Sequence, residues 1–104
     1  MADDLQSHDE PAHLARTLAL LRCAFPNGVD EQAYLPLLAV LGKEMSMRNL
    51  ADAMAEFTGK QWPYVYNDVL TALSPAGEPS STEQDTVRQR LRPCGYDEWL
   101  RTDE

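Results

Sequence analysis

Apolar side chains return at the helical period along most of this chain, and that rhythm sets its architecture. Leu14, Leu18, Leu21 and Phe25 share one face of a helix, as do Met47, Leu50, Ala51, Met54 and Phe57. Val65, Val69, Ala72 and Leu73 form a third stripe, and Val87 and Leu91 anchor a sparser one. Between the first two stripes, Tyr34 to Leu41 is apolar on nearly every side, so it must be covered on nearly every side. That segment is the predicted centre of an all-α, compact, single-domain bundle of about five helices. No repeat, heptad run or β-alternation of useful length interrupts this reading.

The punctuation between the stripes predicts the boundaries. Asp9-Glu10-Pro11 is a helix start, with an acceptor, an anion at the positive end of the dipole, and a proline whose missing N–H costs little. The first helix runs over Pro11–Ala24 and stops at Phe25-Pro26-Asn27-Gly28. Asp30 offers the next cap. Pro36 would displace a hydrogen bond within a helix, so a short turn from Asp30 is expected to bend into the second helix. Gly42 is either its stop or a weak spot in a helix reaching Glu44. Ser46 caps the third helix, Thr58-Gly59-Lys60-Gln61 ends it, and Pro63 opens the fourth. Ser74 to Ser81 reads as a loop, and Ser81 with Gln84 has capping-box spacing for the fifth helix. Pro93-Cys94-Gly95 stops that helix, after which Tyr96, Trp99 and Leu100 fold back as an apolar clasp. The organisation is a flexible acidic tail over residues 1–8, a bundle over 9–101 and a flexible end over 102–104.

Composition alters this picture in three places. The formal charge is −8, with −4 in the first ten residues and −3 in the last eight, so the body between them is nearly neutral at −1. Acidic ends repel nucleic acid at long range but leave open what the body binds. Met-Ala-Asp-Asp-Leu has neither the positive charge nor the apolar run of a secretory leader, and the longest apolar run, Ala33 to Leu41, is far short of the ~20 residues a membrane span needs. The expectation is a cytoplasmic protein with no membrane segment. Cys23 and Cys94 lack metal-ligand and redox-motif spacing and read as free thiols. Cys23 falls opposite the first apolar stripe, near Arg16, so its thiol is either exposed or covered by a further segment, and cover is the expectation.

The candidate chemistry is thin. The third and fourth helices could form a helix-turn-helix, but the fourth, Pro63 to Leu73, has no Lys or Arg for phosphates or base edges, and the turn reads as long. Arg88 and Arg92 lie one turn apart and could grip an anionic group together, although cations in a last turn also suit the helix dipole without a ligand. His8 and His13 flank a helix start, so their geometry as metal ligands is not fixed. Asp52 and Glu56 have the spacing of an ordinary solvated pair. With no nucleophile setting, phosphate loop or ligand cluster, the expectation is a protein that is not an enzyme and uses no cofactor or metal.

Trp62, Tyr64 and Tyr66 are the one concentration of large amphipathic side chains. On a helix Tyr64 and Tyr66 point about 200° apart, so they cannot both face one core. Exposed aromatics of this kind anchor protein interfaces. The functional expectation is therefore a small protein-interaction module with an unidentified protein partner. Its partner-surface candidates are Trp62, Tyr64, Tyr66, Arg88 and Arg92. The alternative is a nucleic-acid-associated regulator with a helix-turn-helix-like core, which the missing cations argue against.

Several pieces carry a family resemblance: Phe25-Pro26-x-Gly28-Val29, Tyr34-x-Pro36-Leu37-Leu38-Ala39-x-Leu41, the amphipathic Ser46-to-Phe57 segment, Asp85-x-Val87-Arg88-x-x-Leu91, and Gly95-Tyr96. Across about three quarters of its length the chain resembles a family of small actinobacterial proteins, common in mycobacteria, described only as a domain of unknown function. The resemblance implies a compact bundle of about five helices and brings no activity or catalytic residue. Members often carry a basic run after the leucine segment and Gly-Trp near the end; this chain has Gly42-Lys43-Glu44 and Gly95-Tyr96.

Overall fold

A computed structural model describes residues 12–101; the acidic segment 1–8, the expected helix start at Asp9-Glu10-Pro11 and the end 102–104 lie outside the described residues. The order is α1 (Ala12–Ala24), α2 (Glu31–Gly42), α3 (Met47–Thr58), α4 (Trp62–Leu73), α5 (Ser81–Leu91), a 3-10 turn (Arg92–Cys94) and α6 (Tyr96–Arg101). No strand occurs among the described residues. The all-α bundle is as expected, with the short α6 added to the five helices.

α2 is the centre. Ala33, Tyr34 and Pro36 to Leu41 are all buried, and Leu37, Leu38, Ala39 and Leu41 have no exposed surface. α3, α4 and α5 pack around it, α1 packs on α3 and α5, and α6 closes the outer side of α1. The predicted stripes supply the cover: Leu18 and Leu21 from α1, Leu50 and Met54 from α3, Val65 and Val69 from α4, Val87 and Leu91 from α5. The stripe on α3 frays at its ends, where Met47 is exposed and Phe57 half-buried.

Three boundaries differ from expectation. No separate turn bends into α2, which runs unbroken from Glu31 with Pro36 inside it. The carbonyl that Pro36 leaves without a helical partner belongs to Gln32, an exposed first-turn residue, where water can replace the lost bond. α2 ends at Gly42, where packing against α4 is close: a Cβ there would lie 2.9 Å from the side chain of Leu73 at the end of α4. The capping box of α5 sits one residue earlier than predicted. Ser80 Oγ accepts from the backbone N–H of Glu83, and Glu83 Oε1 accepts from the backbone N–H of Ser80. A carboxylate at that position suits the helix dipole better than the amide of Gln84. Gln84 is thereby freed for the interior, where it accepts from Lys43 Nζ at 2.8 Å and donates to Pro79 O at 2.9 Å and to Glu78. The donors on Gln84 and Lys43 hold the Glu78 carboxyl below its usual range.

Polar ties join the helices at their edges. The Tyr34 hydroxyl donates to Asp68 Oδ2 at 2.8 Å, linking α2 to α4, while Lys60 Nζ stands 4.3 Å from the centre of the Tyr34 ring. Burial, followed by the hydrogen bond and charge of Asp68, pushes the Tyr34 phenol above its ordinary value of 10.0. Arg90 reaches back from α5, donating Nε to Ala24 O and covering the Phe25 ring at 4.1 Å.

Two outcomes follow from this packing. Leu38→Asp places an unpaired carboxylate where no surface is exposed, at a cost of several kcal/mol against a typical domain stability of roughly 5–15 kcal/mol. Circular dichroism should show lost helicity and no cooperative melt. Tyr34→Phe should lower stability by about 1 kcal/mol in urea unfolding, because Asp68 loses its donor. The stability that Tyr34 gains from staying neutral is complete below its unfolded value near 10.0 and is lost as pH rises above it. The alkaline destabilisation of the parent should therefore be smaller in Tyr34→Phe.

Candidate functional site

The three aromatic candidates meet where α3 turns into α4. Gly59, Lys60 and Gln61 make the connection. Gly59 adopts φ 80°, a left-handed conformation open to glycine without strain, and its N–H caps α3 by donating to Ala55 O. Such a tight reversal folds α4 back on α3 and brings Trp62 beside Asp52, ten positions earlier. The indole Nε1 donates to Asp52 Oδ1 at 2.7 Å.

That bond fixes the plane on which the rest of the corner is built. Trp62 and Tyr66, one helical turn apart, stack with ring centroids 5.0 Å apart and planes 10° from parallel. Both are half-buried and pack against the edge of the core. Tyr64 projects the other way and is 66% exposed, the most exposed of the large apolar or aromatic side chains among the described residues. The angular argument from sequence thus separates the rings correctly: Tyr66 joins the stack and Tyr64 faces solvent. Asp52 is the residue that sequence reasoning missed. Its spacing from Glu56 suggested a solvated pair, and only the reversal at Gly59 shows that it orients the indole.

The arginine pair is not gathered into an open grip. Arg88 Nη1 donates to Asp85 Oδ1 at 2.7 Å, and the Arg88 side chain also lies against the Tyr96 hydroxyl, where it opposes the upward shift that burial imposes on that phenol. Arg92 is exposed at the end of α5, and Arg90 between them turns away toward Ala24 and Asp30. The α3–α4 connection is three residues, shorter than the sequence suggested, so the turn itself is no obstacle to a helix-turn-helix. The chemistry of the second helix is the obstacle, since its exposed positions include Pro63, Tyr64, Asn67, Leu70 and Thr71 and no cation.

Cys23 and Cys94 are not free thiols. They form a disulfide with Cα atoms 5.8 Å apart, tying the last turn of α1 to the 3-10 turn across 71 positions of sequence. Cys23 itself is exposed, so the cover expected over it is absent, although the clasp reaches the same side of α1 at Arg16. Arg16 Nη2 donates to Trp99 O at 2.8 Å, and the indole of Trp99 donates to the buried Thr17 hydroxyl at 3.0 Å. Tyr96 and Trp99 are buried and their rings stack 6.0 Å apart, whereas Leu100, expected to join them, is 40% exposed. Among the described residues no group of three or more His, Cys, Asp or Glu is placed to hold a metal ion. His8 lies outside those residues.

No curated protein and no solved structure is similar enough to match the chain. A family match covers residues 12–100, spanning every helix from α1 into α6. By that match the chain belongs to the family described as "Protein of unknown function (DUF3349)".

Proposed function

We propose that this protein is a non-catalytic interaction module whose partner, another protein, is gripped at the α3–α4 corner. The observation that carries the reading is Tyr64, 66% exposed beside a stacked Trp62–Tyr66 pair whose indole is pinned by Asp52. An exposed tyrosine beside a pre-ordered aromatic ledge loses little conformational freedom on binding, which is what an interface anchor requires. Arg92 is a weaker, separate contact candidate, and Arg88 is already committed to Asp85. The setting we propose is the cytosol, a reducing compartment in which a disulfide such as Cys23–Cys94 is uncommon and, where present, is usually transient or redox-sensing. No described helix is long and apolar enough to cross a membrane.

Two experiments test this reading. In affinity capture from the native host, Tyr64→Ala should keep the parent melting temperature and lose captured partner at least tenfold, since an anchor tyrosine is typically worth ~2 kcal/mol or more. Leu100→Ala, on a different helix, should capture normally. Equal capture by Tyr64→Ala and the parent would remove the corner as the interface. Against duplex DNA, the protein should show no saturable binding at low salt. Binding with a steep salt slope would instead favour the helix-turn-helix alternative.

A further inference from the structure

We propose that the Cys23–Cys94 disulfide is a site of reversible thiol–disulfide exchange, whose reduction loosens the α6 clasp while the bundle stays folded. Three observations converge on this. The bond is accessible: Cys23 is exposed, Cys94 is only half-buried, and the adjoining surface is a groove of about 330 Å³ lined by Arg16, Leu20, Cys94, Glu98 and Trp99. The bond lies outside the centre, joining α1 to a three-residue turn, whereas α2 is enclosed by α3, α4 and α5 without it. It also sits at the hinge of a small separable unit, because α6 is only six residues long and begins two residues after Cys94. Gly95 lies between them with φ 92°, a conformation glycine adopts without strain.

The chemistry balances with a small thiol as reductant, the state of the cytosolic thiol pool. A thiolate attacks the sulfur of Cys23, the more exposed half. A new sulfur–sulfur bond forms to Cys23, the Cys23–Cys94 bond breaks, and Cys94 departs as a thiolate that takes up a proton. A second thiol attacks the mixed disulfide, releasing Cys23 as a thiolate and leaving the two small thiols joined. The protein disulfide has gained two electrons and two protons, and the two small thiols have lost them. Arg16 and Glu98, of opposite charge, both line the groove that receives Cys94, so exposure rather than local charge selects the sulfur attacked. Once the link is cut, the ties that hold α6 include the hydrogen bonds of Trp99 with Thr17 and Arg16, the Arg88 side chain on the Tyr96 hydroxyl, and the burial of Tyr96 and Trp99. Its opening would expose Leu20 and the two aromatic rings.

The test uses the full chain purified without reductant. Alkylation after denaturation should label no cysteine in this protein and both after reduction; free thiols that resist oxidation would overturn the assignment. With limiting glutathione and acid quenching, peptide mass spectrometry should place glutathione on Cys23, and adducts confined to Cys94 or absent altogether would refute the exchange step. Hydrogen exchange of the reduced protein should speed up at least tenfold over Tyr96–Arg101 with α2 unchanged, and the Cys23→Ser/Cys94→Ser double variant should match it. Unaltered exchange in α6, or unfolding of the whole chain, would overturn the clasp.

Discussion

The structure depends on one constraint: α2 is apolar around its circumference and must be removed from water on every side. A helix with a single apolar stripe can lie on a surface, but one that buries Leu37, Leu38, Ala39 and Leu41 completely requires neighbours all round. α3, α4 and α5 meet that demand. Their own stripes then have nowhere to go except inward, so each amphipathic helix is both cover for α2 and a dependent of it. Pro36 is tolerated because the enclosure fixes the helix despite a missing hydrogen bond, and at Gly42 any added side chain would have to displace the Leu73 methyls at the end of α4.

Around this apolar centre the polar interactions decide where each helix stops and how it is turned. Lys43 gathers Glu78 and Gln84 beneath the loop before α5, setting where that helix begins. Tyr34 and Asp68 fix the rotation of α4 against α2, and Asp52 fixes Trp62 at its start. With α4 rotated so that Val65 and Val69 face the core, Tyr64 is left outside. The exposed tyrosine is therefore a consequence of the same packing that buries its neighbours, and it costs the fold nothing to lose.

Much of this was legible from residue types and spacing, and the failures share a cause. Periodicity found α1, α3, α4 and the anchors of α5 because each such helix carries its own local record of which face is buried. The 200° separation of Tyr64 and Tyr66 divided the aromatic corner for the same reason. What failed depended on partners distant in sequence. The Cys23–Cys94 bond spans 71 positions and no local spacing announces it. Asp52 resembled half of a solvated pair until the turn at Gly59 brought Trp62 to it. The capping box slipped by one residue because Ser80 and Ser81 are adjacent serines, each followed three positions later by a side chain able to complete the box, and the choice rests on Gln84 having a buried use of its own.

The clasp and the aromatic corner also stand in a definite relation. α6 packs on α1 and α4 packs on α2 and α3, so influence of one on the other has two routes, through the contact of α1 with α3 or through α5, which touches α1, the 3-10 turn and α2. Both routes run through an interior whose side chains have no exposed surface, among them Leu18 and Leu21 on α1, Leu50 and Met54 on α3 and Leu91 on α5. A close-packed interior has few alternative arrangements to transmit, and coupling requires an element with two states that both sites bias. The element able to open here is α6, which touches α1 on the side that Thr17 and Leu20 occupy and leaves the α3-facing stripe in place. Thiol exchange at Cys23 should thus change what the α1 side of the molecule displays, while the close packing around α2 keeps Asp52 and the indole it holds in place.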